Sequence, residues 1–324
     1  MTTVAGRDGS RTGPDPDPTG SGPLRRALAA PRPTAGLGGD TAAHPAAGPD
    51  GGTVPARPTA GVSPKPDVPR RRAALTSEFR LVDRLRTHTR RSVDPDTGTA
   101  PVVLVHGLAV SHRYLTPLAE TLGTTHPVYV PDLPGFGLSA RPGRAYDLRR
   151  HVGHLAAWLD AYRLPPVCLV GHSFGAEVAA ALAVARPGAV RALVLAGPTS
   201  DPTARSRRGL VGRWLVDCLR EPLWQVPILC RDVLDARPWR VAATVSHSVR
   251  HAVEADLVRI TAPTLVLTGE QDPIVPPRWR AEVTRLVPDA RLVTVSDAAH
   301  NVLTTAPGRV ADAIRDLLVP TPAG

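Results

Sequence analysis

Apolar residues along this chain come in short continuous runs rather than in alternation, and the runs are spaced through the last 250 or so residues. Pro101–Val105, Val128–Val130, Pro166–Val170, Ala192–Ala196, Ala262–Thr268 and Ala290–Val295 are rich in Val and Leu and are bounded by Pro, Gly, Asp or Ser. Runs of this kind fill the middle of a parallel sheet whose two faces are both covered. Between them lie helix-period segments. The clearest is Ala176 to Ala185, alanine-rich and closed by Arg186-Pro187-Gly188, which reads as a helix with a stop signal. The alternation predicts an α/β domain.

One interval breaks the rhythm. More than sixty residues separate Ala196 from Pro263, far beyond an ordinary connection. Within it Leu210, Val211, Trp214, Leu215, Cys218 and Leu219 recur at threes and fours, with Arg208, Arg213 and Arg220 off the stripe. Ile228, Leu229, Val233 and Leu234 suggest a second helix, and Val241, Val245, Val249 and Val253 a third. Such stripes pack on a core or line an apolar pocket, and both can hold at once. The segment therefore reads as a helical cap.

The most chemical stretch is Gly171-His172-Ser173-Phe174-Gly175, set between the run ending at Val170 and the helix beginning near Ala176. A strand turning sharply into a helix needs small neighbours and holds its central side chain up at the helix N-terminus. Ser173 is thus a nucleophile candidate, which requires a base and a group to orient that base. Asp272 stands beyond the strand Ala262–Thr268, with Glu270 as the alternative acid. His300 lies in the loop after the last strand. Of the eleven histidines it alone lies beyond Asp272, so the order Ser, Asp, His is met in one way. Asp297 reads as a solvated loop residue. Oxyanion donors are expected from the backbone N–H groups of Phe174 and of Leu108, in the His106-Gly107-Leu108 loop after the first parallel strand. Gly107 permits the turn and His106 orients the loop. Gly171, His172 and Gly175 support the serine.

From about Phe79 to Leu318 the chain resembles the α/β-hydrolase superfamily, in its branch of esterases, lactonases, C–C bond hydrolases and cofactor-free perhydrolases. The resemblance rests on the His106-Gly107 loop, on Asp132-Leu133-Pro134-Gly135-Phe136-Gly137-Leu138-Ser139, on the serine elbow, and on Asp272 with His300. It implies a mostly parallel central sheet with flanking helices and a helical cap inserted between the sixth and seventh strands. It also implies an acyl-enzyme, because the dehalogenases and epoxide hydrolases of the superfamily carry aspartate where this chain has Ser173. The expected activity is cleavage of a carboxylic ester, lactone or thioester. C–C bond hydrolysis or perhydrolysis with the same triad, biosynthetic thioesterase or acyltransferase chemistry, and a non-catalytic ligand-binding protein are the alternatives.

Composition narrows the organisation. Residues 1–70 are dense in Pro, Gly, Ala and Thr and hold no aromatic residue, which predicts a disordered tail. The expected layout is a tail at 1–70, core at 71–199, cap at 200–260, core at 261–320 and a short tail at 321–324. No signal peptide or bilayer-length apolar run is visible, so a cytoplasmic protein without stable membrane insertion is expected. The net charge of +10 comes almost wholly from arginine, Lys65 being the sole lysine. These arginines are spread without aromatic interleaving, which argues against nucleic acid and leaves an anionic substrate or acidic carrier as partner. Three cysteines make no disulfide framework, and no cluster has metal-ligand spacing. No metal or cofactor is expected. The predicted partner is a small apolar acyl substrate, free or as a thioester on an acyl carrier; oligomeric state is left open.

Overall fold

The computed structural model describes residues 71–93 and 98–319; the expected tails at 1–70 and 321–324 lie outside them. Among the described residues the strands form one sheet in the order β1-β2-β4-β3-β5-β6-β7-β8. β1 (Leu75–Val82) and β2 (Leu85–Ser92) make an antiparallel hairpin, and β2 runs antiparallel to β4 (Val128–Pro131). β3 (Val102–Val105), β4, β5 (Val167–His172), β6 (Val190–Ala196), β7 (Thr264–Gly269) and β8 (Ala290–Val295) are parallel. The six runs read as strands are all strands of this sheet. The hairpin was not foreseen.

The pleat divides each inner strand between two cores. Val103 and Val105 of β3, with Leu169, Leu193 and Val266, meet α2 (Leu148–Tyr162), α3 (Phe174–Ala185) and α8 (Pro277–Leu286) on one face. Val102, Leu104, Cys168, Val170, Val194 and Leu265 meet α1 (His112–Leu122), α9 (Val302–Thr305) and α10 (Pro307–Leu318) on the other. Alternate residues thus serve opposite faces. This is why the central strands show no polar alternation: neither face sees water. Cys168 is a buried, apolar member of the second core, and burial pushes its thiol up to about 12.

The interval between β6 and β7 holds α4 (Arg207–Cys218), α5 (Val226–Ala236), α6 (Pro238–Ser248) and α7 (Glu254–Leu257). α4 and α5 fall on the first two expected stripes; the third, Val241 to Val253, is divided, since α6 ends at Ser248 and Val249 and Val253 lie beyond it, before α7. The buried face of α4 also differs from its apolar stripe. Val211, Trp214, Leu215 and Leu219 are exposed, and Asp217 is the buried residue of α4. Most buried positions of α4, α5 and α6 are polar, among them Asp217, Asp232, Arg240, Thr244 and Ser248, while Val253 and Leu257 join the first core.

Candidate active site

Every candidate residue comes from the carboxyl edge of the sheet, the edge at which α/β proteins gather their loops. β5 ends at His172, and Ser173 takes φ 55° and ψ −121°, a strained backbone for a residue with a Cβ. The Ser173 amide donates to the carbonyl of Ala196 at the end of β6 (2.9 Å), and its carbonyl accepts from Ala176 (2.9 Å). A methyl group on Gly171 would overlap the carbonyl of Gly175, and one on Gly175 would overlap the carbonyls of Val105 and His106. The small residues are there because strand, elbow and neighbouring loop touch through backbone.

Asp272 and His300 meet as expected. His300 Nδ1 lies 2.8 Å from Asp272 Oδ2, with both side chains buried. The other oxygen, Oδ1, accepts from the amides of Ile274 (2.8 Å) and Val275 (3.1 Å). Burial would raise the Asp272 pKa, yet the His300 ring and these two amides hold it below its usual value. Burial alone would lower His300, but the Asp272 carboxylate, backed by Asp217 and Glu221, raises it above 6.5. His300 Nε2 is buried and has no hydrogen-bond partner among the described residues. Glu270 and Asp297 are exposed and stand apart from this pair.

The loop after β3 is fixed from below. His106 is fully buried; its Nε2 accepts from the Leu133 amide (2.9 Å), so Nδ1 carries the proton and donates to the Gly107 carbonyl (2.7 Å). Burial pushes the His106 pKa down, keeping the ring neutral. Two residues that sequence reasoning left unassigned or only generally supportive join this loop to the rest. The Gly107 amide donates to the Tyr114 hydroxyl (3.0 Å), which donates to His172 Nδ1 (2.7 Å), while His172 Nε2 donates to the His300 carbonyl (2.9 Å). The carbonyl at one end and the amide at the other settle every proton in the chain. Burial pushes His172 down to about 3, which suits a neutral link. Because Gly107 spends its amide on Tyr114, the next N–H in the loop is that of Leu108, half-buried beside it. Phe174, the first residue of α3, has an amide with no acceptor a turn behind it in the helix.

The insertion adds two acids that no sequence motif announces. Asp217 Oδ1 accepts from the His300 amide (3.2 Å), and Glu221 Oε1 from the Asn301 amide (2.6 Å). Gln225 completes the contact through Asn301 Nδ2 (3.0 Å) and Glu221 Oε2 (2.9 Å). Positions 217, 221 and 225 are spaced by fours, so one line of side chains grips the backbone that carries His300. Burial, with Glu221 and Asp272 nearby, pushes Asp217 up to about 6. A second clamp joins α3 to the insertion: Glu177 Oε1 accepts from Thr199 (2.6 Å), Ser200 (2.7 Å) and Ser248 (2.6 Å).

One further group has the composition of a metal site. The ligand atoms of His88, His112 and Asp132 lie within 4.8 Å of one another. The Asp132 carboxylate, however, already accepts the amides of His112 (2.8 Å) and Leu138 (2.9 Å) as well as Nδ1 of both histidines (2.8 Å each). Its lone pairs are committed to N–H donors, so the group is a hydrogen-bond hub that pins the 132–138 loop rather than a cradle for a cation.

An eight-stranded, mostly parallel sheet with a strained strand-to-helix elbow and an acid–histidine pair on the same edge defines a hydrolase class of α/β proteins. The chain belongs to the alpha/beta hydrolase family, whose profile residues 102–313 match. It is 43% identical over 102 residues to 2-hydroxy-6-oxo-2,4-heptadienoate hydrolase of Pseudomonas putida, a match taking in 30% of this chain and 37% of that relative's length. It is 28% identical over 241 residues to the pimeloyl-[acyl-carrier protein] methyl ester esterase of Neisseria meningitidis, covering 67% of this chain and 91% of the relative. Among solved structures, a thermophilic esterase from Thermogutta terrifontis superposes with a TM-score of 0.64 at 25% identity, over 75% of this chain and 98% of the other.

Proposed function

We propose that this hydrolase is a serine enzyme cleaving an ester-like bond through an acyl-enzyme. The observation that carries the reading is the state of His300: Nδ1 is held by Asp272 at 2.8 Å while Nε2 is buried with no partner. A buried nitrogen left without a partner is costly, and a substrate-bound serine hydroxyl would supply what it lacks. In this mechanism Ser173 Oγ attacks the carbonyl and gives its proton to His300 Nε2. Asp272 steadies the imidazolium, and the amides of Leu108 and Phe174 hold the oxyanion. His300 then returns the proton to the leaving oxygen or sulfur. Water, deprotonated by the same nitrogen, releases the acid and restores Ser173.

Residues 200–260 act as the cap over this site. Asp217 and Glu221 are positioning residues that hold the His300 loop from the cap side. A second reading, C–C bond hydrolysis by the same residues, draws its support from the 43% identity to a hydrolase named for a dienoate. An ester carried on an acyl carrier draws its support from the pimeloyl esterase.

The test is hydrolysis of a short p-nitrophenyl ester and labelling by a fluorophosphonate, in the wild type and in Ser173→Ala. Loss of both in a folded variant is expected. Labelling that persists in Ser173→Ala would place the nucleophile elsewhere, and turnover of a dienoate in preference to any ester would favour the second reading.

A further inference from the structure

Helix α4 and the turn after it are amphipathic in the wrong sense for a layer packed on a core. A surface helix of a globular protein turns its apolar stripe inward and its charges to water. Here the buried side chains of α4, of the turn after it and of α5 include Asp217, Gln225 and Asp232, while Leu219 is 87% exposed, Leu223 81% and Leu234 71%. Trp214 and Trp224 stand about half in solvent, at 45% and 52%. The inward residues attach the insertion through polar contacts, Asp217 to the His300 amide and Asp232 to the Ser111 hydroxyl (2.9 Å). What is left outside is a patch of leucine and tryptophan of the kind that marks an interaction surface.

Charge on this patch is sorted by sign. Between residues 206 and 231 the acids are Asp217 and Glu221, both buried and turned toward His300 and Asn301. Arg207, Arg208, Arg220 and Arg231 are exposed. The outer face therefore presents exposed apolar side chains together with the exposed Arg207, Arg208 and Arg220, while Arg231 is balanced by Asp235 (4.0 Å). A second copy of this chain meeting the patch by two-fold symmetry would set arginines against arginines. An anionic lipid surface has the opposite complement. It offers negative headgroups to the arginines, an acyl boundary to the leucines and a headgroup region in which tryptophan settles, and it demands no matching concavity.

We propose that the outer face of α4 and α5 docks on an anionic lipid bilayer, leucines and tryptophans entering the interface and arginines reading its charge. Attachment is peripheral: among the described residues no helix is long and apolar enough to cross a membrane. Since Asp217 of α4 and Glu221 of the turn after it hold the backbone of His300 and Asn301, docking sets the lipid surface beside the candidate active site.

Co-sedimentation of the full chain with vesicles tests this, using phosphatidylcholine alone and phosphatidylcholine mixed with phosphatidylglycerol, at low and at high salt. Binding to the mixed vesicles that weakens with salt is expected, with tryptophan emission moving to shorter wavelength. Arg207→Gln, Arg208→Gln and Arg220→Gln together should lower the partition coefficient on the order of 100-fold, at about fivefold per arginine. Leu219→Ser with Leu223→Ser should lower it as well while the circular dichroism spectrum is kept. Equal binding to both vesicle types, no binding to either, or binding unchanged in both variants would overturn the proposal. So would self-association abolished by the leucine variant, or capture of a soluble acidic carrier protein without vesicle binding.

Discussion

The Tyr114 hydroxyl carries more than its size suggests, and Tyr114→Phe measures how much. The side chain is fully buried, and its oxygen joins the Gly107 amide at 3.0 Å to His172 Nδ1 at 2.7 Å. Phenylalanine keeps the ring packing and removes the shared partner, leaving one donor and one acceptor buried and unpaired. Each such group costs about 1–3 kcal/mol, so the loss of stability should be about 2–6 kcal/mol. On a total of about 5–15 kcal/mol that is large but survivable. Urea unfolding reads it directly. If Gly107 leaves its place, the Leu108 amide moves with it, and kcat/KM for an ester substrate should fall by roughly 10–100-fold. His172→Leu in the same background removes the acceptor too, and the double variant should cost less than the sum of the singles by about 1–2 kcal/mol. A Tyr114→Phe variant within about 0.5 kcal/mol of the wild type, with unchanged kcat/KM, would refute the idea that this hydroxyl ties the loop to the elbow.

Three further substitutions examine other parts of the site. Asp217→Asn keeps an oxygen for the His300 amide but removes a negative charge that stabilises the imidazolium; the acid limb of the kcat/KM profile should therefore move to lower pH. An unmoved limb would show that this charge does not reach the ring. Gly197 has φ +54°, and a Cβ there would stand 2.9 Å from His300 Cε1, so Gly197→Ala should cut turnover about 10-fold or more; strain at this positive φ should also cost about 1–2 kcal/mol of stability in urea unfolding. His151 is buried among aromatic rings with neither nitrogen hydrogen-bonded, and burial pushes its pKa down to about 3. A folded-state pKa below the unfolded 6.5 gives stability that is present above 6.5 and lost as pH falls toward 3. His151→Phe should remove this loss, gaining about 1.4 kcal/mol per pH unit relative to the wild type below pH 6.5 in urea titrations; parallel curves would refute it.

The parts of this fold that could be read in advance are those stabilised by transferring apolar surface from water. The six parallel strands were legible because both faces are covered, so each is a continuous apolar run. Ser173, Asp272 and His300 were legible because their positions after β5, β7 and β8 follow from the strands themselves. The hairpin was not, since apart from Val82 and Ser92 the residues it buries are Thr87, His88 and Thr89. Each is satisfied far along the chain: Thr87 by His154 (3.0 Å), His88 by Asp132 (2.8 Å) and Thr89 by the Trp158 ring N–H (2.9 Å). A polar residue buried against a specific partner looks like a surface residue until the partner is known. The insertion fails for the same reason with the opposite result. Its 3–4 periodicity correctly gives helices, but periodicity says only that one stripe differs from the other, and the rule that the apolar one faces inward assumes that burial is driven by the hydrophobic effect. In α4 and the turn after it the inward line is instead held by charged hydrogen bonds, from Asp217 to the amide at His300 and from Glu221 to the amide at Asn301, each of which replaces a bond to water and leaves the carboxylates paired. Once those acids are committed inward, Trp214 and Leu215 of α4 and Leu219 just after it are left to solvent, and their exposure follows from the demands of the site beneath them.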